Sequence, residues 1–368
     1  MRSRRAQTSI FLPLSISAIF LSASLVLAKE EILVDVDSDA GLNTAQIIQA
    51  RGYEVELHKI TTADRYVLTM HRIPKSYDET QSGFAAATNK PVVILQHGLL
   101  DSSYTWVLNY RDQSLAFILA DLGYDVWLGN IVGFSHDQKL AKSVSYFGAL
   151  TPVAWTGDAT SPIFVALAKM QMDTWAQVFG MKEFLPNNPL LQNLLGSTVC
   201  AWANEVCSGF FDLIGGPSDN VNSSRVHVYV TQTPAGSSAK NVAHYAQGIR
   251  DNTFASYDYG CNCDPSAGVD ACSEFECINK VKYGSLKPPA FPIQNMVHPR
   301  TGFYNGARDT LATQADINKL RAGLPRGTVV FDKMVDFGHL DFTWASNAHE
   351  NVYNDLIQQI RQYEGRGY

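Results

Sequence analysis

Two turns in the last quarter of the chain each present a side chain able to do acid–base chemistry. Asn305-Gly306-Ala307-Arg308-Asp309 follows a short apolar run, and Asp336-Phe337-Gly338-His339 follows the next one. Each group sits beside a glycine just past an expected strand, where an α/β sheet presents its ligand-binding edge. An aspartate there orients an imidazole and stabilises its cation, while the imidazole shuttles a nucleophile's proton. Asp then His on successive strands is the late half of a Ser…Asp…His order. A third stretch, Val92-Val93-Ile94-Leu95-Gln96-His97-Gly98-Leu99, reads as a strand buried on both faces that ends in a glycine turn. A backbone N–H exposed at such a turn stabilises an oxyanion during acyl transfer.

The elements that must position these groups follow from periodicity and punctuation. A capped helix is expected over 43–50 and half-buried strands over 53–59 and 66–73, followed by a polar loop over 75–90. Strand 92–96, helix 114–121 and strand 124–128 then repeat the strand, turn, helix, strand order of a doubly wound, mostly parallel sheet. Another strand covers 144–150. Residues 156–294 change character, being rich in Phe, Trp, Met and Leu with helical runs, and read as an inserted, mostly helical cap. Strands near 302–305 and 328–334 and helices over 314–323 and 348–363 return the chain to the α/β layer. The expected organisation is a signal peptide over 1–28, hydrolase core over 29–155, cap over 156–294 and core again over 295–368.

Composition narrows the class. A chain of 368 residues with 46% hydrophobic and 17% charged residues buries a large core, and its net charge of −6 argues against nucleic acid as a partner. Arg2, Arg4 and Arg5 before an apolar run ending at Val26-Leu27-Ala28 read as a secretory signal. Removing those three arginines takes the net charge from −6 to −9. No later apolar run reaches the ~20 residues of a spanning helix, so no transmembrane segment is expected after cleavage. All six cysteines (Cys200, Cys207, Cys261, Cys263, Cys272, Cys277) fall between 200 and 277. In a secretory chain they are expected as disulfides. Zinc on Cys261, Cys263, Cys272 and Cys277 is the alternative, at a spacing that matches no standard zinc pattern. Asn222-Ser223-Ser224 is a glycosylation sequon.

The chain resembles the acid lipase family, the α/β-hydrolases that include gastric, lysosomal and yeast steryl-ester lipases. The likeness runs through Leu42-Asn43-Thr44, His71-Arg72-Ile73-Pro74, Gln96-His97-Gly98-Leu99-Leu100, Gly123-Tyr124-Asp125-Val126-Trp127-Leu128-Gly129-Asn130, Ala149-Leu150-Thr151-Pro152-Val153-Ala154 and His339-Leu340-Asp341-Phe342. It implies an α/β-hydrolase fold and hydrolysis of triacylglycerols or steryl esters at a lipid–water interface. It also implies a secreted or lysosome- or vacuole-like location. By the same likeness Leu99 donates an oxyanion-hole N–H, Asp309 is the triad acid and His339 the triad base, while Cys200 and Cys207 match a cap pair. Acyl transfer by a triad requires no metal or organic cofactor, and none is expected.

The nucleophile does not carry over. The family's Gly-His-Ser-Gln-Gly elbow is missing, and no Gly-x-Ser-x-Gly occurs in the 368 residues. Between Asn130 and Val144 lie only thirteen residues, where helix, strand, elbow and helix need roughly 45 or more. The expectation is an internal deletion near 130–133 that removes a central strand together with the serine. The nearest substitute, Gly133-Phe134-Ser135-His136-Asp137, puts a Cβ at Asp137 where an elbow wants none. The chain is therefore expected to be inactive as a serine lipase, with a lipid-binding pseudoenzyme as the alternative and a hydrolase using Ser135 ranked last.

Overall fold

The computed structural model describes residues 38–61, 67–129, 137–171, 180–185, 200, 204–263 and 272–366. The expected signal segment, the junction at 130–133 and Ser135 lie outside the described residues.

Local sequence chemistry sets most elements close to expectation. Asn43 caps α1 (Thr44–Ala50) through a reciprocal bond with Gln46, and Gly52 at positive φ ends it. Strands β1 (Glu56–Thr61) and β2 (Val67–Ile73) follow. The expected 75–90 loop contains a short helix, Tyr77–Gln81, because Ser76 and Glu79 form a second capping box. Then come β3 (Val92–Gln96), α2 (Leu115–Asp121), β4 (Asp125–Gly129), α3 (Gln138–Ser143) and β5 (Tyr146–Leu150). Residues 156–294 hold α4 (Pro162–Lys169), α5 (Asn204–Gly215), α6 (Ala239–Asp251) and the paired two-residue strands β6 (Glu183–Phe184) and β7 (Ser237–Ser238). The chain ends with β8 (Arg300–Gly306), α7 (Gln314–Gly323), β9 (Val329–Val335) and α8 (Asn354–Tyr363). The helix expected over 348–363 is divided, with a π-type turn at His349–Tyr353 before α8.

Apart from the β6–β7 pair, the described strands form two sheets rather than one, ordered β1-β2-β4-β3 and β5-β8-β9. Three of the five strand pairs are parallel: β3 with β4, β5 with β8 and β8 with β9. Among the described residues neither the free edge of β3 nor that of β5 pairs with a strand.

β3 has its expected bounds but is not buried on both faces: Val92 is 59% and Ile94 46% exposed, and only Leu95 is buried. With β4 as its one neighbour it is an edge strand, and nothing described extends the layers past it. The two sheets nevertheless share one core. Leu95, Val126 and Leu128 from the first meet Tyr304 and Val335 from the second around Phe117, Phe342 and Trp344.

Candidate active site

The glycine turns after β8 and β9 bring Asp309 and His339 into contact. His339 Nδ1 lies 2.9 Å from Asp309 Oδ2. The other carboxylate oxygen, Oδ1, accepts the N–H groups of Leu311 and Ala312, each at 2.8 Å. The two turns pack so closely that a Cβ on Gly306 would stand 2.4 Å from the Phe337 carbonyl oxygen. Behind them Gly216, at φ +96°, leaves room for the Arg308 carbonyl, which a Cβ would meet at 2.0 Å. The His339 N–H donates to the Gly215 carbonyl at 2.8 Å, so the end of α5 supports the imidazole's backbone. Asp341 fixes the same turn by accepting the Gly338 N–H at 2.8 Å and the Ser218 hydroxyl.

Thr151, just past the carboxyl end of β5, belongs to this cluster, although its sequence marks it only as the end of a strand. Its hydroxyl donates to Asp309 Oδ2 and lies 3.3 Å from His339 Nδ1. Its φ is +45°, an outlier for a β-branched residue. The threonine before Pro152 was the available signal, but its reach across 158 residues was not.

Electrostatics make the pair an ion pair at mildly acid pH. Burial pushes the Asp309 carboxyl up, but the His339 charge and the hydrogen bonds from His339, Thr151 and Ala312 hold it below its ordinary 3.8. Burial depresses the His339 imidazole, yet Asp309, by charge and hydrogen bond, and the Asp101 charge raise it above 6.5. The Asp309 contribution to stability is thus present above pH 3.8 and lost as pH falls through the lower folded value. The His339 contribution is complete below 6.5 and lost as pH rises through the higher folded value. Asp309→Asn is expected to lower the urea midpoint most between about pH 4 and 6.5, and least above the folded pKa of His339. Urea titrations across pH 3–9 check this; an equal loss at every pH would contradict it.

Leu99 sits in the turn after β3, and its N–H has no hydrogen-bond partner among the described residues. The next residue, Leu100, has φ +58°, and its carbonyl accepts the Ala235 N–H at 2.7 Å. This loop is tied to the His339 segment further along: Thr105 Oγ1 donates to Thr343 Oγ1 at 2.9 Å, and Asn109 Nδ2 donates to the Trp344 carbonyl at 3.2 Å. Burial raises the Asp101 carboxyl above 3.8, against the His97 and His339 charges that lower it.

Residues 44–110 match the family described as the partial α/β-hydrolase lipase region. The chain is 31% identical to human gastric triacylglycerol lipase over 87% of its length and 91% of that protein's. The chain belongs to the acid lipase family. Lipase lipl-1 of Caenorhabditis elegans is 32% identical, covering 89% of this chain and 93% of its own. Human lysosomal acid lipase/cholesteryl ester hydrolase is 30% identical, covering 90% and 94%.

The alignments of this acid lipase with its relatives are longer than the part of the chain they cover. The alignment with the nematode lipase runs over 397 positions, while 89% of 368 residues amounts to about 328. About 69 positions of that alignment therefore face no residue here. Asp137, the end of the substitute elbow, is spent as the cap of α3, its Oδ1 accepting the Lys139 and Leu140 N–H groups at 2.9 Å. Residues 200–277 carry three disulfides, Cys200–Cys207, Cys261–Cys277 and Cys263–Cys272. The sulfurs of Cys261, Cys263 and Cys277 lie within 4.8 Å of one another, but the bridges use them. Asn222 is half-buried and accepts the Ser224 N–H and hydroxyl at 3.1 and 2.7 Å. Among the described residues no helix is long and apolar enough to cross a membrane.

Proposed function

We propose that this chain is an acid-lipase scaffold for triacylglycerols or steryl esters that has lost serine-dependent acyl transfer. The observation that carries the lipase part is the Asp309–His339 pair at 2.9 Å, arranged as triad acid and base, with Leu99 as oxyanion donor. The loss rests on the sequence, which has no Gly-x-Ser-x-Gly and too few residues between Asn130 and Val144 to build an elbow. Residues 29–155 and 295–368 are the hydrolase core, and 156–294 the cap that would cover an acyl chain. Residues 1–28 are a signal peptide, Asn222 is glycosylated, and the chain reaches a secreted or lysosome- or vacuole-like location. Three disulfides and the relatives' gastric and lysosomal names support that route.

A fluorophosphonate probe tests the loss directly, because it reacts with an activated serine and not with a bare Asp–His pair. The purified chain is expected to remain unlabelled and to release no acid from tributyrin. Label on Ser135, abolished by Ser135→Ala, would overturn the reading. Saturable fatty-acid binding without labelling is the expected behaviour of the pseudoenzyme alternative, which the same missing serine favours.

A further inference from the structure

A serine is not the only group that an acid–base pair can activate. His339 is anchored at Nδ1 by Asp309, while Nε2 has no hydrogen-bond partner among the described residues. The side chain keeps 19% of its surface exposed, and Nε2 is not one of the buried unpaired polar atoms, so water reaches it. The second requirement for ester cleavage is a donor for the oxyanion, and the Leu99 N–H is likewise unpaired. The Thr105–Thr343 and Asn109–Trp344 bonds brace its loop against the His339 segment. Base and donor are thus both held on braced backbone, with no partner for either among the described residues.

We infer that this chain hydrolyses activated esters directly with water, His339 acting as general base and Thr151 as a positioning residue for its Asp309 partner. The inference rests on the reading of Asp309 and His339 as an acid–base pair, but not on any serine. The water oxygen bonds to the acyl carbon as its proton passes to His339 Nε2, and the carbonyl oxygen takes the negative charge beside the Leu99 N–H. The bond to the leaving oxygen then breaks, giving a carboxylic acid and a phenolate or alcohol, with the Nε2 proton returned to the leaving group or to solvent. No acyl-enzyme forms. A general base of this kind contributes about 10²–10⁴-fold, so good leaving groups are the substrates and natural triglycerides turn over too slowly to detect.

Thr151 enters because two observations meet at it. A β-branched residue is held at φ +45°, and in that posture its hydroxyl occupies Asp309 Oδ2. Outliers of this kind persist where surrounding structure over-determines them. With Leu311 and Ala312 on Oδ1, the threonine leaves the carboxylate one orientation, with Oδ2 toward the imidazole. Aside from His339, the ionisable group acting on this pair is Asp101, with His97 beside it.

The test is p-nitrophenyl acetate hydrolysis by the full chain, measured as stopped-flow release with a solvent deuterium comparison. Expected are no burst, a slower rate in deuterium oxide, and about a hundred-fold loss of kcat/KM in His339→Gln. Thr151→Val should lose about ten-fold, the worth of one hydrogen bond to a charged group, and Thr151→Ser should restore it. Circular dichroism melts confirm that each variant is folded. A His339→Gln rate equal to wild type, or no isotope effect, overturns water-directed catalysis. A Thr151→Ser variant as slow as Thr151→Val overturns the positioning role, since packing alone does not distinguish it. A burst with fluorophosphonate labelling would instead sink the proposed loss of the serine, a different failure with a different signature.

Discussion

Inserting a relative's segment carrying Gly-His-Ser-Gln-Gly between Asn130 and Gly133 is expected to raise tributyrin hydrolysis by about a million-fold. That is the order lost when a triad serine is removed from an intact hydrolase. The expectation rests on what the chain already holds. Asp309 and His339 are in contact, and the Leu99 N–H has no partner among the described residues. The edges of β3 and β5 each lack a partner among the described residues. Both edges already run parallel to their own neighbours, β4 and β8, so one added parallel strand can continue each ladder. The insert would also cover Val92 and Ile94, now 59% and 46% exposed, and convert an edge strand into an interior one. A pH-stat assay measures the gain, with His339→Ala in the restored chain as the control that should remove it. A restored chain that melts cooperatively yet hydrolyses nothing would show that the acid, base and oxyanion loop are not held in catalytic register.

The largest expected loss of stability lies away from the chemistry, at Asp39. Its carboxylate lies between two guanidinium groups: Arg51 Nη1 donates to Oδ1 at 3.0 Å and Arg225 Nη2 to Oδ2 at 2.8 Å. Arg225 is 1% exposed, donates also to the Leu108 carbonyl at 2.7 Å and stacks over Tyr110 with 4.7 Å to the ring centroid. The pair thereby ties residues 186 positions apart, one before α1 and one in the region assigned to the cap. Asp39→Ala removes one partner of a buried ion pair, a change that typically costs about 3–5 kcal/mol. At this chain length that corresponds to a fall of roughly 10 °C in melting temperature. Burial raises the Asp39 carboxyl, but hydrogen bonds and charges from Arg51 and Arg225 outweigh it and hold the group below 3.8. Its stabilisation is therefore present above pH 3.8 and lost as pH falls through the lower folded value. Thermal melts of wild type and Asp39→Ala at pH 7 and pH 3 check both parts. The gap between them should shrink at the lower pH, and an equal gap would contradict the argument.

Legibility in the sequence followed the range of the interaction. α7 was readable to the residue, since Thr313 caps its start and Gly323 closes it. β3 was equally readable in extent, because four aliphatics after Pro91 have few other uses. Asp309 and His339 were readable as a pair because each stands beside a glycine after a strand, and strand order in an α/β sheet brings such turns together. The absence of Gly-x-Ser-x-Gly and the thirteen residues between Asn130 and Val144 were readable by inspection and counting.

What the sequence did not disclose depends on partners far along the chain. Nothing local marks Thr151 as a ligand of Asp309 or Arg225 as a buried cation, because each is defined by a contact more than 150 residues away. The helix at Tyr77–Gln81 was hidden among polar residues whose capping bonds, not hydrophobic period, make it. The burial of β3 was misjudged for the opposite reason. An apolar strand becomes an interior strand only when another strand lies on each side, and that neighbour is supplied by topology rather than by its own residues. The sequence by itself determined the family, the two glycine turns that carry Asp309 and His339 and the absence of any Gly-x-Ser-x-Gly, all matters of residue type and count. Only the tertiary structure decided that the sheet is divided in two, that one core still spans both halves, and that a strained threonine holds the aspartate in place.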